Sequence, residues 1–234
     1  MRRPPRTGRA SLRPAFALSL AFALALAVAA RAEVPAASSD GQPAELVDIS
    51  AWPDAPVLDI RYATKLNFTG EKLYAAPVAL LRPETAAALA RANLALREMG
   101  YGLRVFDAYR PPAIQRLMWG LVPDERYVSN PAVNMGRHTR GTAVDVALTD
   151  LMGNPLPMPS GYDDFTEKAH RDYKGASPKA AANRDLLERV MKEVGFEPFP
   201  TEWWHFDLAG WEKFPVVAPP PSFPLTTTAA GAGN

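Results

Sequence analysis

A chain of 234 residues that is 47% hydrophobic and 22% charged carries enough apolar material for one globular core and is too short for two full domains. It has no Cys, which excludes a disulfide framework and a lipid-modified cysteine anchor. Residues 1–32 hold six Arg and no acid; without them 20 Lys+Arg face 25 Asp+Glu and the formal charge moves from +1 to −5, so there is no electrostatic case for nucleic acid as a partner.

Arg2, Arg3, Arg6, Arg9 and Arg13 precede an uncharged Ala/Leu/Phe run over 15–30, closed by Ala30-Arg31-Ala32. That order predicts a secretory signal peptide over 1–32, cleaved near Ala32 and Glu33. The run is short for a ~20-residue membrane span. The expectation is therefore an exported protein, periplasmic or extracellular, with no membrane anchor after cleavage; Arg2-Arg3 leaves both the general and the twin-arginine export routes open. Residues 33–44 read as a flexible leader and 215–234 as a Pro-rich disordered tail, since neither composition buries much apolar surface. The folded domain is expected over 45–214.

Pro83 opens a segment with Leu89, Ala92, Leu96 and Met99 at helical spacing before Gly100, the pattern of a helix with Pro at its start and Gly at its end. Ser177-Pro178 reads as cap and first residue of another, carrying Leu186, Leu187, Val190, Met191 and Val194 up to Gly195. Residues 103–109, 142–148 and 203–208 are β-branched or aromatic runs suited to strands, and a helix is expected near Pro111-Pro112. Strands and helices do not alternate regularly. The prediction is an α+β domain with a small, mainly antiparallel sheet flanked by helices.

The chain has three histidines. Two sit in unusual company: His138-Thr139-Arg140-Gly141-Thr142-Ala143-Val144-Asp145 and Glu202-Trp203-Trp204-His205. A hydrolytic zinc site needs three imidazole or carboxylate ligands and an open position for water; His138, Asp145 and His205 supply that set. On a strand, Asp145 stands between the small Ala143 and Ala147, and Gly141 lets the chain turn from His138 into that strand. Glu202, near but off the ion, suits a general base. It lies three residues from His205, however, so in a regular strand the two would face opposite ways. Arg110, in Asp107-Ala108-Tyr109-Arg110-Pro111-Pro112, suits an oxyanion partner. Each residue alone is as consistent with a solvated loop His, a surface acid, a core Trp or an Arg paired to Asp107.

Four ordered segments raise those odds together: Arg61-Tyr62-Ala63-Thr64 with Asn67-Phe68 and Gly70; Asp107 to Pro111; His138-x-x-Gly141-x-Ala143-x-Asp145; and Glu202-Trp203-Trp204-His205. They resemble the D-alanyl-D-alanine dipeptidases, zinc peptidases related in fold to D,D-carboxypeptidases and the hedgehog signalling domain. The resemblance implies one zinc per chain on His138, Asp145 and His205, Glu202 as base and Arg110 as transition-state stabiliser. It also implies a loop over the cleft at 162–170, in which Asp163 takes the ammonium of a D-Ala-D-Ala substrate, with Tyr62 as a second substrate-binding residue. His170, in the same loop, reads as a loop-fixing residue and not a ligand. Two features depart from the family: Gly136 stands where members usually carry Ser, and the signal peptide suits turnover of wall-derived dipeptide. The alternatives are a D,D-carboxypeptidase or L,D-endopeptidase acting on peptidoglycan stem peptides, and a catalytically silent zinc-binding wall module.

Overall fold

The structure is a computed structural model that describes Met1 and residues 45–226. The expected signal peptide beyond Met1, the leader and the last eight residues lie outside the described residues. Among the described residues no helix is long and apolar enough to cross a membrane.

Ten regular elements make up the domain: β1 (Val47–Asp48), β2 (Val57–Leu58), β3 (Leu80–Leu81), α1 (Pro83–Glu98), β4 (Tyr101–Asp107), α2 (Pro112–Leu121), β5 (Ala143–Asp150), α3 (Pro178–Glu193), β6 (Phe196–Pro198) and β7 (His205–Leu208). β1 and β3 form a small ribbon, and the other five strands one sheet in the order β2-β4-β5-β7-β6. Every pairing is antiparallel except β2 with β4, which agrees with the expected α+β, mainly antiparallel class. α1 begins at Pro83, and the Ser177 side chain caps α3 by accepting from the Ala180 amide at 3.2 Å, as the spacing predicts. Both helices bury one stripe, Leu89, Ala92 and Leu96 on α1 and Leu187, Val190 and Met191 on α3. α1 packs on β4, α3 on β6, and the two helices touch.

β5 is buried along nearly its whole length. Val144, Val146 and Leu148 join the hydrophobic core, which leaves the opposite face to Ala143, Asp145 and Ala147. Register then sets the site: Asp107 on β4 lies opposite Asp145, and Asp145 opposite His205 on β7. Residues paired across strands share a face, so three polar side chains from distant parts of the chain form one row.

Two expectations are corrected. The strand expected over 203–208 begins only at His205; Glu202, Trp203 and Trp204 form a turn in which the His205 amide donates to the Glu202 carbonyl at 3.3 Å. The tail expected from 215 is packed as far as Thr226: Val217 and Phe223 are buried, and Tyr74 and Leu225 form an isolated bridge. Proline removes backbone donors but leaves carbonyls, and here Arg82 Nη2 reaches the Pro215 carbonyl at 2.8 Å and the Ala75 amide the Pro224 carbonyl at 2.5 Å. Composition alone does not register acceptors satisfied from elsewhere in the fold.

Candidate active site

His138 sits on a single 3-10 turn, His138–Arg140, closed by Gly141 in the left-handed region at φ +70. A Cβ at Gly141 would lie 2.8 Å from Leu46 Cδ2 and 3.2 Å from the Arg82 amide nitrogen, so conformation and space both require glycine there. The turn swings His138 back over β5. Its Nδ1 is 2.6 Å from the Ala108 carbonyl, which can only accept, so Nδ1 carries the proton and Nε2 offers a lone pair. His205 has the mirrored arrangement: Nε2 donates to Asp207 Oδ1 at 2.8 Å and Nδ1 faces inward.

The two inward nitrogens are 3.1 Å apart, and Asp145 Oδ1 lies 3.2 Å from His138 Nε2 and 3.0 Å from His205 Nδ1. Tyr162 donates to the other oxygen, Oδ2, at 2.8 Å. All three side chains are buried, and each offers one atom to a group spanning no more than 4.8 Å. Three acceptors converging in a dry place repel unless a positive charge joins them. The site attracts one: burial lowers the His205 pKa, but Asp207 and Asp145 outweigh it and push it up to about 10. Burial likewise works against the Asp145 carboxylate, yet His138 and His205 hold its pKa well below the usual range. Two imidazoles and a carboxylate are a zinc ligand set, and tetrahedral bonds of about 2.0–2.1 Å place ligand atoms roughly 3.3 Å apart, close to the separations here. The residues fit a divalent ion.

Glu202 is buried on the turn before β7, and its Oε2 lies 3.8 Å from His205 Nδ1. The turn resolves the spacing problem, bringing both side chains to one side. Burial pushes the Glu202 pKa up to about 8; His205 and Arg110 oppose that and Asp145 and Asp163 reinforce it. Arg110 is fixed at three nitrogens: Nε and Nη2 on Asp107 Oδ2 at 3.0 and 2.9 Å, and Nη1 on Gln115 Oε1 at 2.9 Å. Its guanidinium also lies over the Tyr62 ring, 5.3 Å from the centroid. Arg110 thus pairs with Asp107 and also lines the same pocket as His138, Asp145, Glu202 and His205.

Asp163 and Tyr62 line that pocket too. The Asn67 amide donates to the carbonyls of Arg61, Thr64 and Glu71, folding a loop that presents the Phe68 amide to Asp163 Oδ2 at 3.2 Å, while the Tyr62 hydroxyl donates to Oδ1 at 3.3 Å. Asp163 is the only non-glycine residue with positive φ among the described residues, at 59°. Burial, partly offset by the Phe68 amide, pushes its pKa up to about 7. Gly136 lines the pocket at φ +91. His170 stands apart from the three-residue cluster, with its Nε2 3.4 Å from the Tyr127 hydroxyl.

Sequence reasoning missed Asp207, Tyr162 and Gln115. For Asp207 a signal existed: it lies two residues beyond His205 on a strand, hence on the same face. Asp207 also meets Arg137 Nε at 3.4 Å, and that guanidinium lies over the rings of Phe199 and Trp211, 5.3 and 4.6 Å from their centroids.

A model of the D-ala-D-ala dipeptidase family matches residues 42–215. A D-alanyl-D-alanine dipeptidase of Escherichia coli (strain K12) is 37% identical over 175 residues, covering 74% of this chain and 90% of the relative. Enzymes of the same name from Streptomyces coelicolor and Enterococcus faecalis are each 32% identical, over 70% and 64% of this chain and 88% and 84% of theirs. A solved LD-carboxypeptidase structure aligns at 18% identity and a TM-score of 0.42, over 74% of this chain and 72% of that one, too remote a likeness to carry an argument.

Proposed function

The chain belongs to the D-Ala-D-Ala dipeptidase family, and we propose that it is a zinc-dependent enzyme that hydrolyses D-Ala-D-Ala to two molecules of D-Ala. The observation that carries this reading is the convergence of His138 Nε2, His205 Nδ1 and Asp145 Oδ1 beside the buried Glu202 carboxylate. Zinc, one per chain on those three residues, would supply a lowered pKa for water and polarisation of the scissile carbonyl.

The remaining work falls to side chains. Glu202 accepts a proton from the attacking water as its oxygen bonds to the carbonyl carbon. It then delivers that proton to the departing nitrogen as the C–N bond breaks, and the burial that favours its protonated form assists this second transfer. Arg110, already held by Asp107 and Gln115, meets the charge that develops on the carbonyl oxygen without having to reorganise. Asp163 and Tyr62 receive the substrate ammonium. A peptide with further residues before its first D-Ala brings an amide there instead, which leaves Asp163 buried without a cation and selects for dipeptides. Residues 1–32 are proposed as a cleaved signal peptide that delivers the enzyme to the periplasm or outside the cell, where wall turnover releases such dipeptides.

The test is a substrate panel on zinc-loaded protein lacking residues 1–32. D-Ala should be released from D-Ala-D-Ala, and Glu202→Ala should lower kcat by at least about 10²-fold. An active Glu202→Ala enzyme sinks the mechanism. Release from a stem pentapeptide and not the dipeptide makes the protein a carboxypeptidase, and zinc binding with no turnover makes it a silent binding module.

A further inference from the structure

The match to the family ends at residue 215, but the chain goes on to touch residues next to those that line the pocket. The Val217 amide donates to the Thr139 carbonyl at 2.9 Å, one residue from His138. The Val217 carbonyl accepts from the Tyr109 hydroxyl at 2.8 Å, one residue from Arg110. Phe223 then packs edge-on against Tyr74 and Tyr109, with centroids 5.2 and 5.6 Å away. Backbone bonds from Ala75 to Pro224 at 2.5 Å and from Thr226 to Leu73 at 3.1 Å hold its flanks. Tyr74 passes the contact inward: its hydroxyl donates to Asp107 Oδ1 at 3.4 Å, and Oδ2 of the same carboxylate carries Arg110. Tyr74, Tyr109 and Phe223 are buried behind the site, and none lines the pocket.

The groups served by these contacts lack the support that regular structure gives. His138 rides on one 3-10 turn, and Arg110 lies in the link between the end of β4 and the start of α2. Neither backbone belongs to a ladder of helix or sheet bonds, and the Arg110 amide donates to the His138 carbonyl at 3.2 Å, so packing behind one of the pair bears on both. Val217 reaches a neighbour of each with its two backbone groups, and Phe223 wedges the two tyrosines that stand behind Arg110.

We propose that residues 216–226 form a positioning strap for His138 and Arg110, anchored by Phe223, which touches no substrate and acts through Tyr74 and Tyr109. The proposal rests on the roles given above to His138 and Arg110. It is tested on protein lacking only residues 1–32, comparing the unaltered chain with Phe223→Ala, Phe223→Leu and a chain ended after Pro215. D-Ala-D-Ala turnover is measured well below each variant's melting temperature, and zinc retention is measured separately by competition with a chelator.

Phe223→Ala is expected to lower kcat on the order of 10-fold with KM within about twofold, and to weaken zinc retention on the order of 10-fold. Phe223→Leu, which refills the apolar volume, restores most of both, and the shortened chain shows at least the Phe223→Ala loss. A folded Phe223→Ala protein that melts lower yet keeps its kcat and its zinc reduces the strap to a stabilising patch and overturns the proposal. If the shortened chain does not fold, the two point variants decide. If the unaltered protein holds zinc but cleaves no dipeptide, the dipeptidase reading fails on its own, and the zinc comparison still decides the strap.

Discussion

Asp163 shows how one buried side chain leaves two pH signatures of opposite sign. Its pKa is pushed up to about 7 by burial, so above that pH the free enzyme holds a carboxylate ready for the substrate ammonium. The acid side of kcat/KM for D-Ala-D-Ala should carry a contribution from Asp163 near pH 7 beside that of the base Glu202, so it should be less steep in Asp163→Asn, where only the Glu202 step remains. Stability runs the other way. An unfolded Asp loses its proton near pH ~3.9, and between there and pH 7 the folded chain keeps one that the unfolded chain has released. Stability therefore falls as pH rises across that window, and Asp163→Asn should flatten this part of the curve in denaturant titrations; an unchanged slope would count against the assignment. At this scale the site was largely legible, because three histidines in the whole chain make the company of two of them informative. For Asp207 the signal is only its place two residues beyond His205 on the same face, and its use appears once the His205 Nε2–H needs an acceptor. Tyr162 falls in the segment that the resemblance implies as a loop over the cleft, but nothing in its spacing reveals that its hydroxyl meets Asp145.

Among elements, β5 and the turn before it decide the site. Gly141 combines a left-handed backbone with a Cβ position 2.8 Å from Leu46 Cδ2, so Gly141→Ala should destabilise the fold by at least about 1–2 kcal/mol, read as a lower urea midpoint at unchanged slope. It should also loosen zinc retention, because the same turn carries His138. Both long helices were legible from their apolar stripes and their Pro and Ser-Pro starts, as was the alternation that turns Asp145 away from Val144 and Val146. What the spacing could not supply was register. That Asp107, Asp145 and His205 form a row depends on pairings between strands far apart in sequence, and residues 203–208 read as uniform strand because aromatic residues suit a tight turn before β7 as well as the strand itself. The packing of the segment after Pro215 is not legible for a related reason: its partners, Tyr74, Tyr109 and Thr139, come from other parts of the chain.

For the molecule as a whole, zinc bound at the proposed site would stabilise by mass action. At about 100-fold above its dissociation constant a ligand adds about 2.7 kcal/mol, which for a domain of this size corresponds to roughly 5–10 °C in melting temperature. Removing the ion with a chelator should lower the melting temperature by that amount and re-adding it should restore it, as followed by circular dichroism; a melting curve indifferent to the chelator would count against a bound ion. The adjacency of His205 and Asp145 has a topological side as well. These residues are 60 positions apart, so an ion gripping both closes a large loop in a chain that has no cysteine. A covalent cross-link over such a span restricts the unfolded ensemble by about 4 kcal/mol in the chain-entropy view, and a slowly released ion imposes the same restriction for as long as it stays. What a reductant does to a disulfide-stapled secreted protein, a chelator should do to this one.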